Sequence, residues 1–176
     1  ELGEIQKAIN CFEKVIQINP DHADAHNNLG NLLKELGKIQ DAENCYKKAI
    51  QINPNYTNAY NNLGTIFQKY KDFQEAIRLY EKTIQLNPNF ASAYNNLGLT
   101  FHELEEYQKA INSYEKAIEI KPDYAEAHSS LGKVFKELGN FEKTTNCFKK
   151  TIKYKPDDLI SLYYLSELNK EILSSD

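Results

Sequence analysis

The five prolines of this chain, Pro20, Pro54, Pro88, Pro122 and Pro156, succeed one another at a constant interval of 34 residues. A fixed period of this length marks stacked copies of one supersecondary element, none of which can bury its apolar face alone. The period constrains the chain more than any single motif does. At 176 residues the chain is long enough for one or two ordinary domains. In a repeat array it becomes one continuous body in which each copy packs against its neighbours. Such a body offers an extended binding surface and no evident catalytic pocket.

Counting back from the prolines gives four complete copies, 23–56, 57–90, 91–124 and 125–158. A half copy, 1–22, precedes them and is expected to be a second helix. A terminal half copy, 159–176, follows and is expected to be a first helix. Within a complete copy the first half places apolar or small residues at i, i+3, i+4 and i+7, as with Tyr60, Leu63, Gly64 and Phe67. That spacing puts them on one helical face. The second half repeats the pattern with Ala42, Tyr46 and Ala49, then Ala76, Tyr80 and Thr83, then Ala110, Tyr114 and Ala117. Gly37 and Gly139 mark stops between the halves, because glycine takes the left-handed C-terminal conformation without steric penalty. The residue before each proline is pushed out of the helical region and ends the second half. A repeated pair of short helices with tight connections results.

Gly30, Gly64, Gly98 and Gly132 fall in mid-helix, where glycine costs about 1 kcal/mol relative to alanine. A cost repeated in every copy predicts a close helix crossing, with Ala42, Ala76 and Ala110 as the matching small surface. Thr144 stands where the other copies have alanine, so the fourth is expected to pack less well. In the opening half copy, Ala8, Phe12 and Val15 are read as the inner face.

With its Leu-Gly pairs at 29–30, 63–64, 97–98 and 131–132, its periodic alanines and aromatics and its prolines, the chain resembles the tetratricopeptide repeat (TPR) family. The resemblance covers nearly the whole chain. Tyr60 and Tyr94 keep the aromatic that opens the family pattern, while His26 and His128 replace it, and His26 is read as filling a core position. The resemblance implies an all-α fold, a right-handed α-solenoid (superhelix) of TPR helix-turn-helix units. It also implies that the first helices line a concave groove.

On each first helix a polar stripe runs beside the core stripe. Stacking sets Asn28, Asn62 and Asn96 in a ladder, with Asn27, Asn61 and Asn95 alongside and Asn31 one turn on. Asparagine offers both a donor and an acceptor, so such a ladder can pair with the backbone of an extended peptide. These groove asparagines resemble those of the TPR superhelix of protein O-GlcNAc transferases. Ser130 and then Tyr164 end the ladder. The resulting expectation is a protein–protein interaction scaffold that binds an extended peptide or partner segment in the groove. One alternative is the TPR arm of a larger glycosyltransferase or sulfotransferase. Another is a self-assembling module whose terminal helices stack, through Leu159, Ile160, Tyr163 and Tyr164, into a homo-oligomer.

Other classes find little support. A net charge of −4 gives no general attraction to nucleic acid or anionic lipid. No apolar run approaches a membrane span. Cys11, Cys45 and Cys147 occupy equivalent places in different copies and recede from one another along an array, so neither a disulfide nor a shared metal is expected. An odd cysteine count fits a reducing, cytoplasmic setting. No catalytic residues, metal site or cofactor motif stands out, and the chain is expected not to be an enzyme. The seven lysines between 133 and 155 read as a solvated face. There is no methionine, even at position 1, so the sequence is expected to be a fragment or processed product.

Overall fold

A computed structural model describes residues 2–174. Among the described residues there are ten α-helices and no strand: α1 (Leu2–Ile18), α2 (Ala23–Glu35), α3 (Ile39–Ile52), α4 (Thr57–Lys69), α5 (Phe73–Leu86), α6 (Ala91–Glu103), α7 (Tyr107–Ile120), α8 (Ala125–Glu137), α9 (Phe141–Tyr154) and α10 (Leu159–Ser174). The fold class is the expected all-α repeat of helix hairpins. α2 pairs with α3, α4 with α5, α6 with α7 and α8 with α9. The chain divides between Pro88 and Asn89 into two compact units. In the N-terminal unit α1 packs on α2 and α3 on α4; in the C-terminal unit α7 packs on α8 and α9 on α10.

The same closure ends each first helix. In α2 the Gly37 N–H donates to Lys34 O (3.0 Å) and the Lys38 N–H to Leu33 O (2.9 Å). Equivalent pairs follow α4, α6 and α8. This is the Schellman arrangement, and it needs a left-handed residue just past the helix. Gly37 (φ 75°) and Gly139 (φ 71°) fill that place as expected, but in the middle copies it falls to Lys71 (φ 61°) and Glu105 (φ 58°). A side chain there meets the strain that disfavours left-handed backbone in L-residues, about 1–2 kcal/mol. The turn is therefore set by the hydrogen bonds and the packing around it, and glycine only eases it.

The mid-helix glycines are explained differently from expectation. A Cβ on Gly30 would lie 2.7 Å from Tyr46 Cε1, on Gly64 2.6 Å from Tyr80 Cε1, and on Gly98 2.8 Å from the Tyr114 ring. On Gly132 it would lie 2.8 Å from Phe148 Cε1. The close neighbour is thus the aromatic ring of the second helix rather than the small residue at Ala42, Ala76 or Ala110. Those rings are fully buried, so each glycine admits the largest piece of its own hairpin core. Thr144 is also fully buried, and its Oγ1 donates to Asn140 O (2.8 Å). Its hydroxyl is therefore satisfied within α9.

In α1 the buried face centres on Ile9, with Ile5, Phe12 and Ile16 packed against the same core. Of the expected inner face Phe12 is part of this cluster, and Ala8 and Val15 are half-buried. The N-terminal core continues through Leu29, Leu33, Tyr46, Leu63, Ile66 and Leu79. That of the C-terminal unit gathers Ile111, Tyr114, Leu131, Val134, Phe135 and Cys147.

Candidate functional site

The asparagine stripe is split by burial. Asn27, Asn61 and Asn95, expected to stand beside the ladder at the surface, are only 3%, 8% and 5% exposed. Asn28, Asn62, Asn96 and Asn31 are half-buried. Neighbouring residues on a helix point about 100° apart. The first row therefore turns into the packing between helices while the second borders solvent.

In the N-terminal unit the two rows form one circuit across α2, α3 and α4. Tyr46 Oη donates to Asn31 Oδ1 (2.8 Å). Asn62 Nδ2 donates to Asn31 Oδ1 and to Asn27 Oδ1, both at 3.0 Å. Asn27 Nδ2 in turn donates to Asn28 Oδ1 (3.3 Å). Burial pushes the Tyr46 phenol well above its ordinary range, so it remains a donor at any physiological pH. With its Oδ1 accepting from Asn27, Asn28 keeps its Nδ2 hydrogens for a further acceptor. With both amide hydrogens of Nδ2 donated to Asn27 and Asn31, Asn62 keeps its carbonyl oxygen for a further donor. A donor and an acceptor thus stand on adjacent first helices. In the next copy the circuit changes partners: Thr65 occupies the place of Asn31 and donates to Asn62 O (2.7 Å), and Tyr80 Oη donates to Gln68 Oε1 (2.9 Å).

In the C-terminal unit His102, one period after Gln68, faces Glu137 (2.9 Å). Ser129 and Ser130 are buried. They line a pocket of about 140 Å³ with Glu126, Lys133, Lys155 and Asp158, where α8 meets the start of α10. Lys155 lies 3.7 Å from Glu126. Hydrogen bonds from Ser161 and the charges of Lys155 and Lys133 outweigh partial burial and hold Asp158 below the usual carboxylate range.

The position that opens each first helix works by a bond that the sequence does not advertise. His26 Nε2 lies 2.9 Å from Pro20 O, Tyr60 Oη donates to Pro54 O (3.2 Å), and His128 Nε2 lies 3.0 Å from Pro122 O. Histidine and tyrosine are interchangeable here because each carries a donor to the proline carbonyl six residues earlier. His26 is accordingly a half-buried turn clasp, and His128 at the equivalent place is buried (3% exposed).

At the far end Leu159 (78% exposed), Ile160 (50%) and Tyr163 (67%) face solvent, as self-association would need. Tyr164 does not join them. It is half-buried, with its ring edge-on to Phe148 at a centroid distance of 5.0 Å. Among the described residues no group of three or more His, Cys, Asp or Glu is placed to hold a metal ion. No helix of the described chain is long and apolar enough to cross a membrane.

Family models described as tetratricopeptide repeat match residues 23–56, 57–90, 79–112 and 125–158. A further model described as TPR repeat matches 1–37 and 101–139. A crystal structure of MamA is 30% identical, with a TM-score of 0.75, and the match covers 88% of this chain and 90% of that one. TTC0263, a thermophilic TPR protein of Thermus thermophilus, is 23% identical with a TM-score of 0.78, covering 95% of this chain and 92% of that one. Pseudomonas aeruginosa PilF is 20% identical with a TM-score of 0.83, covering 91% and 73%. No curated protein matches the chain by sequence.

Proposed function

The chain belongs to the tetratricopeptide repeat family, and from that premise we propose that it holds an extended segment of a partner protein along its first helices. Repeat membership supports a protein-interaction scaffold in general. The finer reading rests on the half-buried asparagine row: Asn28 and Asn62 along α2 and α4 in the N-terminal unit, with Asn31 between them, and Asn96 on α6 in the C-terminal unit. The remaining N–H groups of Asn28 and the remaining carbonyl of Asn62 are the complement of the alternating C=O and N–H of an extended backbone. Asn27 serves this reading from beneath, as a support bonded to Asn28 and Asn62, and Asn61 and Asn95 are buried at the equivalent places. The module carries no chemistry of its own in this account, and it works in a reducing, cytoplasmic setting where its cysteines stay as thiols. Burial pushes the Cys45 and Cys147 thiols up to about 11, which keeps both protonated and unreactive.

The test begins with display selection of random peptides on the full chain. Affinity for a selected peptide is then measured in Asn28→Ala, for the N-terminal unit, and in Asn96→Ala, for the C-terminal unit. A several-fold loss in either, with the thermal midpoint unchanged, supports the reading. Undiminished affinity in both removes the row from the mechanism.

Self-association through α10 is a second reading, favoured by the exposure of Leu159, Ile160 and Tyr163. Sedimentation equilibrium of the wild-type chain against a Leu159→Ser, Tyr163→Ser variant separates the two. Monomers at every concentration in both would dismiss it.

A further inference from the structure

The circuit of the N-terminal unit has a broken counterpart two periods later. Tyr46, Asn31, Asn62 and Asn27 correspond to Tyr114, Leu99, Ser130 and Asn95. The two ends of the circuit are kept, while both residues that bridged them have lost their carboxamide. As a result Asn95 Oδ1 and Tyr114 Oη are buried and have no hydrogen-bond partner. The Ser130 hydroxyl is near enough to Tyr114 to offset slightly the upward push that burial gives the phenol, yet it does not complete a bond. Folded proteins leave few buried polar groups unpaired, and each exception calls for a cause.

The chemistry of the gap is specific. An amide oxygen calls for an N–H, and a phenol calls for an acceptor. In the intact circuit the path runs from Tyr46 Oη to Asn31 Oδ1 (2.8 Å), across to Asn62 Nδ2 (3.0 Å), and on to Asn27 Oδ1 (3.0 Å). One carboxamide, with its own oxygen and nitrogen in the two middle places, spans nearly the same path. Ser130, which stands where the ladder has Asn62 and Asn96, also lines the pocket of about 140 Å³ beside α10. That volume holds several waters at about 30 Å³ each, and Ser130 is the residue it shares with the surroundings of Tyr114. The pair itself is buried, so the visiting group in this reading is a side-chain tip and not a main chain, which is substituted on both sides of every amide.

We propose that Asn95 and Tyr114, with the space left by Ser130, form a binding site for a side-chain carboxamide, the Asn or Gln of a segment held along α6 and α8. It rests on the first-helix reading above and adds sequence preference to it: backbone contacts grip the segment, and this site fixes its register. Asn95 Oδ1 accepts from the incoming NH2, and Tyr114 Oη donates to the incoming carbonyl. Ser130→Asn returns the Nδ2 donor that Asn62 gives to Asn27 in the N-terminal unit and occupies the space.

The test uses the full chain and two independent arms. In the first, acetamide, N-methylacetamide and acetate are titrated while the Asn95 side-chain NH2 and the Tyr114 ring are followed by NMR. Acetamide is expected to give a saturable shift, the other two a several-fold weaker one, and Ser130→Asn none, with its thermal midpoint at or above that of wild type. In the second arm, display selection on wild type is expected to enrich Asn or Gln at one fixed position. Selection on Ser130→Asn is expected to keep the rest of the motif and lose that preference. Equal response to the three probes, or a motif without such a position, overturns the site and leaves the first-helix reading standing. So does an ordered water that bridges Asn95 Oδ1 and Tyr114 Oη in crystals soaked with acetamide. If no peptide is selected at all, the first-helix reading fails, and the acetamide titration alone decides the carboxamide site.

Discussion

Alanine at a mid-helix glycine is ordinarily a stabilising change; in this chain the packing predicts the reverse. A Cβ on Gly64 would sit 2.6, 2.9 and 3.1 Å from three ring atoms of Tyr80. To restore ordinary contact the ring must withdraw by about 0.8 Å, and it is fully buried with its hydroxyl tied to Gln68. Overpacking of this kind costs about 1–3 kcal/mol. The better helix propensity of alanine returns up to about 1 kcal/mol of that. Gly64→Ala should therefore lose about 1–2 kcal/mol. Gly3, in α1, has nothing within 4 Å of an added Cβ, so Gly3→Ala should be neutral or stabilising by up to about 1 kcal/mol. Urea denaturation followed by circular dichroism, fitted for midpoint and slope, measures both. In a cycle with Tyr80→Leu, which removes the ring, the coupling should reach about 1 kcal/mol in the sense that the second change relieves the first. If Gly64→Ala stabilises as Gly3→Ala does, or if the two single losses simply add, the ring is not what the glycine is for.

Four further outcomes follow from the same geometry. Lys71→Gly and Glu105→Gly release left-handed strain and should each stabilise by about 0.5–1 kcal/mol in the same assay, after the entropy of the more flexible unfolded chain is counted. Asn62→Ala removes two hydrogen bonds and strands the buried Asn27 oxygen, for a loss of about 1–3 kcal/mol; Asn28→Ala, at the rim, should cost less than about 0.5 kcal/mol. Burial lowers the pKa of His128 below its ordinary 6.5, so the unfolded chain binds the proton first. His128 therefore contributes stability that is present above pH 6.5 and lost as the pH falls through its folded-state pKa. His128→Tyr, which keeps a donor to Pro122 as Tyr60 does to Pro54, should flatten that part of a thermal-midpoint-against-pH profile.

Much of the architecture was readable because it depends on local spacing. The proline interval and the Leu-Gly pairs need only helical periodicity to be interpreted. What escaped depends on partners distant in sequence. Gly64 reads as a place for a small surface until Tyr80, sixteen residues on, is seen to occupy it. The exchange of His26 and His128 for tyrosine reads as a change in core volume, yet what the position preserves is a donor to a carbonyl on the preceding turn. Lys71 and Glu105 show no left-handed signature because surrounding hydrogen bonds impose that conformation. The site suffers most. Asn27 and Asn28 are adjacent and chemically identical, and only packing against α4 decides that the first is an internal support and the second borders solvent. The serine at 130 reads as the end of a ladder. Only the two orphaned atoms reveal that it also opens a site.

Whether the first helices hold a partner by its backbone is decided by an N-methyl scan set beside an alanine scan of one selected peptide, with affinity measured at each position. Methylating a backbone N–H that meets an asparagine carbonyl should weaken binding about tenfold, the worth of one hydrogen bond. Alanine should be tolerated everywhere except at the one carboxamide position. Tolerance of N-methylation along the whole peptide, with affinity governed by its other side chains, would contradict the account.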